Sequence, residues 1–471
     1  MRREAEVSSP YDLLIIGGGP AGHVGAVRAA QLGLRTAIVE RDKIGGICLH
    51  WGCVPTKTLL HSAELVERLK DARALGIETG SVVVDFARMQ ARKADVVERL
   101  HKGVQYLMRK NKVDVFAGTG RLLAPGRVGV ALNDGSETEL QAKHTLIATG
   151  AAPRSIPGVT IDNVRVLDSS GALSLEAVPE SIAILGAGAV GVEFASLFRA
   201  LGSEVTLIEL LPTLLPLEDQ EIGKALDRIF TRKGMKIYAG ATATSVTVRE
   251  NGVSISLERG QETLTVEAAC LLVAVGRGPV IEGLGLDAAG VAVEKGAVKV
   301  DAAFRTSAPG VYAVGDVIGG PFRLAHVASD EAVHVTEIIA GAESEPINYM
   351  AVPRPTFSIP QVATMGLSEQ QAQEQGYQVK VGRFPFSANS KAAIEGERDG
   401  LVKVVSEART GEVLGIHMVG PNVTELLAEG VAVKYLEGTV GELGTAVHAH
   451  PTLSEALREA ALDAMGRALN I

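Results

Sequence analysis

Two cysteines five positions apart are the residues of this chain best suited to redox chemistry. Cys48 and Cys53 lie between Gly46 and Lys57, and they are two of only three cysteines. A pair of thiols can pass two electrons between a disulfide and a neighbouring redox cofactor. We expect no metal site, because no second Cys/His pair with metal-ligand spacing lies near them. The alternative is that Cys48 and Cys53 are two free buried thiols. For the third cysteine, Cys270, we predict burial in a strand.

A histidine and a carboxylate near the C-terminal end form a second candidate set. His450 precedes Pro451 and Thr452, and Glu455 comes five positions after the histidine. Imidazole transfers protons near neutral pH, and a carboxylate commonly orients it. The Thr452-x-x-Glu455 spacing also predicts a helix capping box. The residues alone favour the capping box. Glu455 can also cap the helix and orient His450 at the same time.

The elements that would position the cysteines begin with a nucleotide-binding pattern. An apolar strand over 11–16 runs into a glycine turn, a helix is predicted over 21–32, and a strand over 36–39 closes on Glu40. Such glycines let the backbone approach a pyrophosphate at the helix N-terminus, and an acid about 20 residues on can bond ribose hydroxyls. The glycines, spaced G-x-G-x-x-G, are Gly17, Gly19 and Gly22.

The same module occurs a second time. A strand over 181–185, a glycine turn, a helix to about Leu201 and a strand over 205–208 precede Glu209 at the same offset. Glu209 favours NAD over NADP, because a carboxylate accepts from the 2′-hydroxyl and repels a 2′-phosphate. No Lys or Arg occurs in 203–223 to pair with that phosphate. The second set of glycines is Gly186, Gly188 and Gly191. Two dinucleotides in one chain imply electron transfer between them.

Further glycine turns fall where each module would return to its sheet. Apolar strands end at Thr149-Gly150 and at Gly276, and another strand runs into Gly315-Asp316. Past about Val352 the pattern changes to alternating strands, and helices follow from Val423. We therefore predict an α/β fold with two Rossmann-like dinucleotide-binding domains and a C-terminal α+β domain.

Composition and charge exclude several classes of protein. The 471 residues carry a net charge of −9 and include no basic block, which argues against a nucleic-acid or anionic-membrane surface. No run of about 18 apolar residues suggests a membrane span. Residues 1–10 include no apolar segment of the secretory type. We expect a cytoplasmic protein.

On these motifs the chain resembles the pyridine nucleotide-disulfide oxidoreductases with two dinucleotide folds, and most closely the lipoamide dehydrogenase family. The resemblance spans nearly the whole length and rests on both glycine fingerprints and four other blocks. Those blocks are Gly46–Lys57, Ala148–Gly150, Thr306–Asp316 and the stretch around His450. It implies four segments: a FAD-binding domain (1–155), an NAD-binding domain (156–279), the second part of the FAD-binding domain (280–350) and an interface or dimerisation domain (351–471).

The resemblance also implies which residues hold each cofactor. FAD would occupy the first module, with Asp316 against the ribityl chain and Ala325-His326 against the isoalloxazine. The residues it assigns to FAD are Gly17, Gly19, Gly22, Glu40, Lys57, Thr149, Gly150, Asp316, Ala325 and His326. Those it assigns to NAD are Gly186, Gly188, Gly191, Glu209 and Gly276.

Catalytic roles follow from the same resemblance. Cys48 and Cys53 would form a redox-active disulfide, in which Cys48 exchanges with substrate and Cys53 lies against the flavin. Lys57 and Glu193, in the first turn of the second fingerprint helix, would pair near the flavin. His450, oriented by Glu455, would be the base and would reach the disulfide of the other subunit of a homodimer.

The implied reaction is oxidation of protein-bound dihydrolipoamide to lipoamide with reduction of NAD+ to NADH. The implied partner is a lipoylated carrier domain of a 2-oxo acid dehydrogenase complex or of the glycine cleavage type. The alternatives are a related flavin disulfide reductase, an NAD(P) transhydrogenase or diaphorase, and an FAD-containing scaffold without turnover. Transhydrogenases share the His50-Trp51-Gly52 segment, which departs from the more usual Asn-Val-Gly, but they lack the second thiol. Mercuric reductases carry a C-terminal cysteine pair, and no cysteine follows Cys270 here.

Overall fold

The computed structural model describes residues 10–470. The expectation of no secretory segment concerns residues that lie mostly outside this range. The helices of the described chain are α1 (Pro20–Gln31), α2 (Gly46–Trp51), α3 (Cys53–Lys70), α4 (Phe86–Lys110), α5 (Ser169–Leu173), α6 (Ala189–Ala200), α7 (Gln220–Arg232), α8 (Ala325–Ala340), α9 (Glu369–Glu374), α10 (Ser390–Glu395), α11 (Val423–Tyr435), α12 (Val440–Thr445) and α13 (Glu455–Ala464).

The strands are numbered in chain order, and the first group below covers residues 11–259 and the second residues 262–420. The first group is β1 (Tyr11–Ile16), β2 (Thr36–Glu40), β3 (Asp114–Ala124), β4 (Arg127–Leu132), β5 (Glu137–Ile147), β6 (Ala151–Pro153), β7 (Val166–Leu167), β8 (Ser181–Leu185), β9 (Glu204–Glu209), β10 (Lys236–Ala239), β11 (Thr242–Arg249) and β12 (Gly252–Arg259). The second group is β13 (Glu262–Ala268), β14 (Cys270–Val273), β15 (Arg277–Pro279), β16 (Val293–Glu294), β17 (Ala297–Val298), β18 (Val311–Ala313), β19 (Arg354–Thr356), β20 (Gln361–Gly366), β21 (Val379–Pro385), β22 (Leu401–Glu407) and β23 (Val413–Gly420).

The described chain forms two compact units, each built from three stretches of sequence. Unit 1 comprises residues 10–55, 91–153 and 277–347, and unit 2 comprises 56–90, 154–276 and 348–470. The four-segment division expected from the sequence stays a prediction.

Unit 1 is built on a parallel sheet that holds the first fingerprint. β1 pairs in parallel with β2 and with β5, β2 with β3, and β5 with β18. The long strands β3 and β5 continue into antiparallel pairing with β4. α1 follows β1 directly and begins at Pro20, because a proline suits the first turn of a helix. The glycine turn therefore lies at the carboxyl end of a central parallel strand, where α/β sheets bind ligands.

Unit 2 repeats this arrangement for the second fingerprint. β10, β9, β8, β14 and β7 form a parallel sheet in that order, and β11, β12 and β13 form an antiparallel one. β8 leads through the glycine turn into α6, whose Phe194 and Phe198 are buried and stacked. The predicted fold class, with two Rossmann-like modules, is confirmed.

The C-terminal part of unit 2 has a different architecture. β19, β20, β23, β22 and β21 form an antiparallel sheet in that order. Helices α11 and α13 pack on it around a core that includes Phe384, Ile416 and Leu457. The strands begin at Arg354 and α11 begins at Val423, close to the predicted positions. Between residues 10 and 470, no helix is long and apolar enough to cross a membrane.

Candidate active site

Cys48 and Cys53 form a disulfide, and their Cα atoms lie 4.6 Å apart. Cys48 belongs to the short helix α2, and Cys53 is the first residue of α3. Gly52 separates the two helices with φ −144° and ψ −111°, and this bend brings the two sulfur atoms together. A cysteine at a helix N-terminus is favoured as a thiolate, because the helix dipole stabilises negative charge there. Cys53 is therefore the better placed of the two thiols to carry charge once the bond opens.

Two glycines set the start of α2 against the first glycine turn. Gly45 and Gly46 have φ +106° and +60°, in the left-handed region that glycine adopts without strain. A Cβ on Gly46 would overlap the Cα of Gly19. The N–H of Gly45 donates to the carbonyl of Gly18 at 2.7 Å. The disulfide helix is thus anchored directly to the predicted pyrophosphate-binding turn.

The first glycine turn has the geometry of a dinucleotide site. The N–H of Gly18 donates to the carboxylate of Glu40 at 2.6 Å, which fixes the acid beside the turn. A Cβ on Gly22 would overlap the carbonyl oxygen of Gly17, whereas Gly19 has open space where a Cβ would point. α1 begins directly after Gly19. Its N-terminal N–H groups can therefore receive an anionic group.

The second glycine turn has the same geometry. The N–H of Ala187 donates to the carboxylate of Glu209 at 2.6 Å. A Cβ on Gly191 would overlap the carbonyl oxygen of Gly186, and Gly188 faces open space at the start of α6. This site can therefore receive a second dinucleotide.

Each module has a return turn after a parallel strand, Thr149-Gly150 after β5 and Gly276 after β14. The hydroxyl of Thr149 donates to the carbonyl of Val280 at 2.7 Å, and the N–H of Val280 donates to the carbonyl of Gly150 at 2.9 Å. The carbonyl of Gly276 accepts from the N–H of Arg154 at 3.0 Å. The Thr149 hydroxyl is thus used to stabilise the turn. Contacts to a ligand at this turn would therefore come from its backbone atoms.

Asp316 lies in a 3-10 turn, Gly315–Ile318, after β18. Burial raises the pKa of its carboxyl, although Arg277 and Arg323 oppose the shift. The N–H of Gly315 donates to Glu331 at 2.6 Å, which fixes the turn. A buried carboxyl of this kind can hydrogen-bond to a hydroxyl group of a polyol chain. The Asp316 carboxyl and the open glycine turn of unit 1 are therefore compatible with FAD in the first module.

Ala325 and His326 begin α8, and His326 is exposed. Glu331, further along the same helix, is a site residue that sequence reasoning missed. Its side chain is 2% exposed on the face of α8 that also buries Val327, Ala328 and Ala332. The sequence does contain a pattern that could have identified Glu331, since it is an acidic residue on the apolar face of a helix. A carboxylate in that position is buried only when it is hydrogen-bonded.

Lys57 and Glu193 form an ion pair within unit 2. The Lys57 Nζ lies 2.8 and 2.7 Å from the two carboxylate oxygens of Glu193, which is 5% exposed. The carboxylate also accepts from the N–H of Phe357 at 2.9 Å, and the Lys57 ammonium lies 4.9 Å from the centre of the Phe357 ring. Glu193 lies in the second turn of α6, which begins at Ala189, so the prediction of the first turn was wrong.

His450 and Glu455 are hydrogen-bonded. The ring Nδ1 of His450 lies 2.9 Å from Glu455 Oε1, and the His450 side chain is 68% exposed. Burial alone would raise the pKa of Glu455, but the bonds from the Thr452 N–H and from His450 outweigh it and lower the pKa. The carboxylate is therefore ionised at neutral pH and accepts the Nδ1 hydrogen. The Nε2 of His450 is left to take up a proton.

The predicted capping box is present only in part. The N–H of Thr452 donates to Glu455 at 2.9 Å, which is one half of the box. The helix N-cap is Ser454, and the Thr452 hydroxyl donates to the carbonyl of Ala449 at 2.7 Å. Glu455 thus closes the loop and orients His450 at the same time.

Two other residues of the types that could react, His448 and Cys270, are not accessible for chemistry. Both ring nitrogens of His448 have partners, the Ala446 carbonyl at 3.0 Å and Glu429 at 2.8 Å. Cys270 is free, lies in β14 and is 4% exposed, which confirms its prediction as a buried strand residue. Burial raises the pKa of its thiol to about 11. Neither residue is available for proton transfer or thiol exchange.

Two family models match the chain. The model described as pyridine nucleotide-disulphide oxidoreductase matches residues 11–332. The model of the dimerisation domain of the same family matches residues 352–461.

Curated relatives match over almost the whole length. A dihydrolipoyl dehydrogenase of Bacillus subtilis (strain 168) is 43% identical over 474 residues, covering 98% of this chain and 100% of the relative. One of Chlorobaculum tepidum is 45% identical over 467 residues and covers 99% of each chain.

Solved structures share the fold. LpdA from Mycobacterium tuberculosis has a TM-score of 0.88 at 30% identity, over 95% of this chain and 98% of LpdA. The HOCl-induced flavoprotein disulfide reductase RclA from Escherichia coli has a TM-score of 0.84 at 29% identity, over 96% of this chain and 99% of RclA. The chain belongs to the pyridine nucleotide-disulphide oxidoreductase family, and its cofactors are NAD, as Glu209 predicted, and FAD, as the resemblance implied.

Proposed function

We propose that this chain is a dihydrolipoyl dehydrogenase, which oxidises a protein-bound dihydrolipoyl group and reduces NAD+ to NADH with release of one proton. The observation that carries the proposal is the Cys48–Cys53 disulfide, anchored to the first glycine turn through Gly45. Curated relatives of 43% and 45% identity bear the name of this activity.

The two cysteines have different roles in the proposed reaction. A dihydrolipoyl thiolate attacks Cys48, and the Cys48–Cys53 bond breaks with Cys53 leaving as a thiolate. The second lipoyl sulfur then displaces Cys48, so that the lipoyl disulfide leaves and the protein keeps both electrons in its thiols. When bound, FAD supplies the chemistry that carries these two electrons from the thiols to NAD+. The family resemblance assigns Cys53 to the cofactor, and its place at the start of α3, which favours its thiolate, supports this assignment.

His450 is the proposed base. Its Nδ1 is engaged by Glu455 at 2.9 Å, so Nε2 takes the proton of the incoming thiol. The ionised Glu455 stabilises the imidazolium that results. We place His450 at the disulfide of the other protomer in a homodimer, and the dimerisation-domain match over 352–461 supports this assembly.

The cofactor sites follow the two modules. The proposed FAD site consists of Gly17, Gly19, Gly22, Glu40, Lys57, Thr149, Gly150, Asp316, Ala325 and His326, with Glu193 holding Lys57. The proposed NAD site consists of Gly186, Gly188, Gly191, Glu209 and Gly276. We propose the segments 1–155 and 280–350 as the FAD-binding domain, 156–279 as the NAD-binding domain and 351–471 as the interface domain.

The partner in this proposal is a lipoylated carrier domain of a 2-oxo acid dehydrogenase complex or of the glycine cleavage type. A cytoplasmic location goes with it. The choice of partner is tested by activity, when the protein is assayed with free dihydrolipoamide and with lipoylated domains from each source.

The central test mixes the oxidised, flavin-loaded protein with dihydrolipoamide, first without and then with NAD+. We expect two new thiols per chain in the first step and NADH in the second. Cys48→Ser should leave Cys53 as a thiolate beside the flavin and show its long-wavelength absorption without any reductant, whereas Cys53→Ser should lack that band. Cys270→Ser is the matched control and should behave as the parent protein.

Other outcomes would contradict the proposal. If bound FAD is present but dihydrolipoamide yields no NADH, the chain is a scaffold or a reductase for another disulfide. If Cys53→Ser keeps the same band, the assignment of the two thiols is wrong.

A further inference from the structure

One backbone carbonyl beside the disulfide accepts from two histidines. The carbonyl oxygen of Ile44 lies 3.0 Å from Nε2 of His50 and 3.0 Å from Nδ1 of His101. His50 lies on α2, between the two cysteines, and His101 comes from the middle of α4. A carbonyl oxygen has two lone pairs and can accept both bonds at once. Two distant elements therefore meet at the residue that precedes the Gly45-Gly46 turn.

The hydrogen-bond partners determine which ring nitrogens carry hydrogen. Because the Ile44 carbonyl can only accept, Nε2 of His50 and Nδ1 of His101 are the protonated atoms. Nε2 of His101 lies 2.9 Å from the side-chain amide nitrogen of Gln105, which donates to it. Both ring nitrogens of His101 are thus held by hydrogen bonds, Nδ1 to the Ile44 carbonyl and Nε2 to the Gln105 amide.

The two rings also pack against each other, and His50 packs against Trp51 as well. The His50 and His101 ring centres lie 4.8 Å apart with an edge-to-face angle of 71°, and those of His50 and Trp51 lie 5.2 Å apart. Burial lowers the pKa of His50 and the charge of Lys43 adds to this shift, whereas the bond to Ile44 and the charge of Glu98 oppose it. His50 is therefore a neutral donor at physiological pH.

We propose that His50 and His101 are positioning residues that hold α2, and with it Cys48, in the orientation of the closed disulfide through their shared bond to Ile44. The inference deepens the proposed function, on which it rests for the reaction that the disulfide serves. When the disulfide opens, the covalent link between α2 and α3 is lost. The two imidazoles then keep the start of α2 in place, so the two thiols remain close at a high effective concentration.

The histidine contacts should also affect the equilibrium between the Cys48–Cys53 disulfide and the dithiol. Reduction by dithiothreitol breaks the Cys48–Cys53 bond, transfers two electrons and two protons to the protein, and closes the cyclic disulfide of the reagent. Loss of the histidine contacts should favour the open dithiol, because the freed thiols no longer meet as often. The equilibrium constant for reduction should then rise, and the protein disulfide should become more oxidising.

The test compares donor-free and donor-preserving variants in the flavin-loaded protein. His50→Leu and His101→Leu keep bulk but remove the donor, whereas His50→Gln and His101→Asn keep an amide N–H near the same place. The equilibrium is set with mixtures of reduced and oxidised dithiothreitol, and thiols are trapped with a maleimide and counted. We expect each leucine variant to shift the equilibrium about tenfold towards the dithiol, or about 30 mV, and each amide variant to recover most of that shift.

A second readout comes from Trp51, the only tryptophan of the chain. In the parent protein, acrylamide quenching of its fluorescence should change little on reduction, because α2 stays anchored. In the leucine variants it should increase on reduction, because α2 moves once the disulfide is open. Flavin absorbance checks that every variant carries the same amount of cofactor.

Neither measurement uses dihydrolipoamide or NAD+, so a failure of the proposed function leaves this test intact. A leucine variant with the parental equilibrium constant and parental quenching would overturn the proposal. An amide variant that is as shifted as its leucine counterpart would also overturn it, because the hydrogen bond would then not be the cause.

Discussion

Glu209 accepts a hydrogen bond of 2.6 Å from the backbone N–H of Ala187, the second residue of the glycine turn that precedes α6. Its other carboxylate oxygen accepts from the N–H of Leu211 at 2.9 Å. Glu40 is held in the same way, by Gly18 at 2.6 Å and Asp42 at 2.8 Å. In both modules the acid is fixed by backbone donors before any ligand arrives, so its remaining lone pairs are already oriented.

Replacing Glu209 should therefore change the choice of pyridine nucleotide. Glu209→Ser removes the negative charge that repels a 2′-phosphate and the acceptor for the 2′-hydroxyl. We expect the ratio of kcat/KM for NAD+ to that for NADP+ to fall about 10- to 100-fold. Steady-state assays with both nucleotides measure this. Glu40→Ser is the matched control, because it should reduce flavin retention and leave the ratio unchanged.

Glu193→Gln should weaken the site around Lys57. The amide can still accept from the Phe357 N–H, but it no longer neutralises the Lys57 ammonium at 2.7 Å. We expect a loss of stability of about 1–3 kcal/mol, typical of hydrogen bonds to charged groups, seen as a lower thermal midpoint. Glu64→Gln breaks the exposed pair with Arg68 on the same α3 and should cost under about 1 kcal/mol. Equal losses would contradict a special role for Glu193.

His450→Gln should slow turnover with dihydrolipoamide and NAD+ by about 10²- to 10⁴-fold, the usual contribution of a general base. Glu455→Gln should have a smaller effect, since the ring remains but its orientation and charge stabilisation weaken. NADH oxidation by ferricyanide needs no thiol deprotonation and should be unchanged in both variants. His448→Gln serves as the control, because both of its ring nitrogens are already bonded. A normal rate in His450→Gln would refute its role as the base.

Cys270 should not react with iodoacetamide in the folded protein at pH 8. Its thiol is buried and its pKa is raised to about 11, so almost no thiolate is present. After reduction, mass spectrometry should find label on Cys48 and Cys53 alone. Unfolding in guanidinium should expose the third site. Labelling of Cys270 in the native protein would show that β14 opens readily.

The buried ion cluster around Lys403 should make stability depend on pH. Lys403 and Asp219 are each 3% exposed, and the Lys403 Nζ lies 2.9 Å from Asp219 and from Glu369. Burial alone would raise the pKa of Asp219, but His417 and Lys403 outweigh it and lower the pKa. Its contribution to stability is then fully present above the unfolded carboxyl pKa of about 3.9 and is lost as the pH falls through the lower folded value.

Two variants separate the parts of this cluster. Lys403→Met leaves Asp219 and Glu369 without their buried cation, and we expect a loss of about 3–5 kcal/mol at pH 7. Asp219→Asn should also destabilise the protein at pH 7, but its stability should fall less steeply between pH 4 and pH 2. Thermal midpoints measured across this range provide the comparison. An acid dependence that is identical in Asp219→Asn and in the parent would contradict the assignment.

Those parts of the protein that depend on local spacing can be predicted from the amino-acid sequence. Both glycine fingerprints, their acids Glu40 and Glu209, the cysteine pair and the burial of Cys270 are readable without coordinates. A turn, the helix that follows it and the next strand are specified by residues within a few tens of positions, and their periodicity reflects the geometry of each element. The change to an antiparallel domain after Val352 is visible for the same reason.

Contacts between side chains far apart in sequence depend on how the whole chain packs. Lys57 and Glu193 are 136 positions apart, and the resemblance, not their spacing, predicted their pairing. The sequence predicted neither the bond from Gly315 to Glu331 nor the meeting of His50 and His101 at Ile44. Such contacts depend on which faces of separate helices lie against each other. The orientation of the helices is determined by the burial of apolar surface over the whole fold, and local spacing does not encode it.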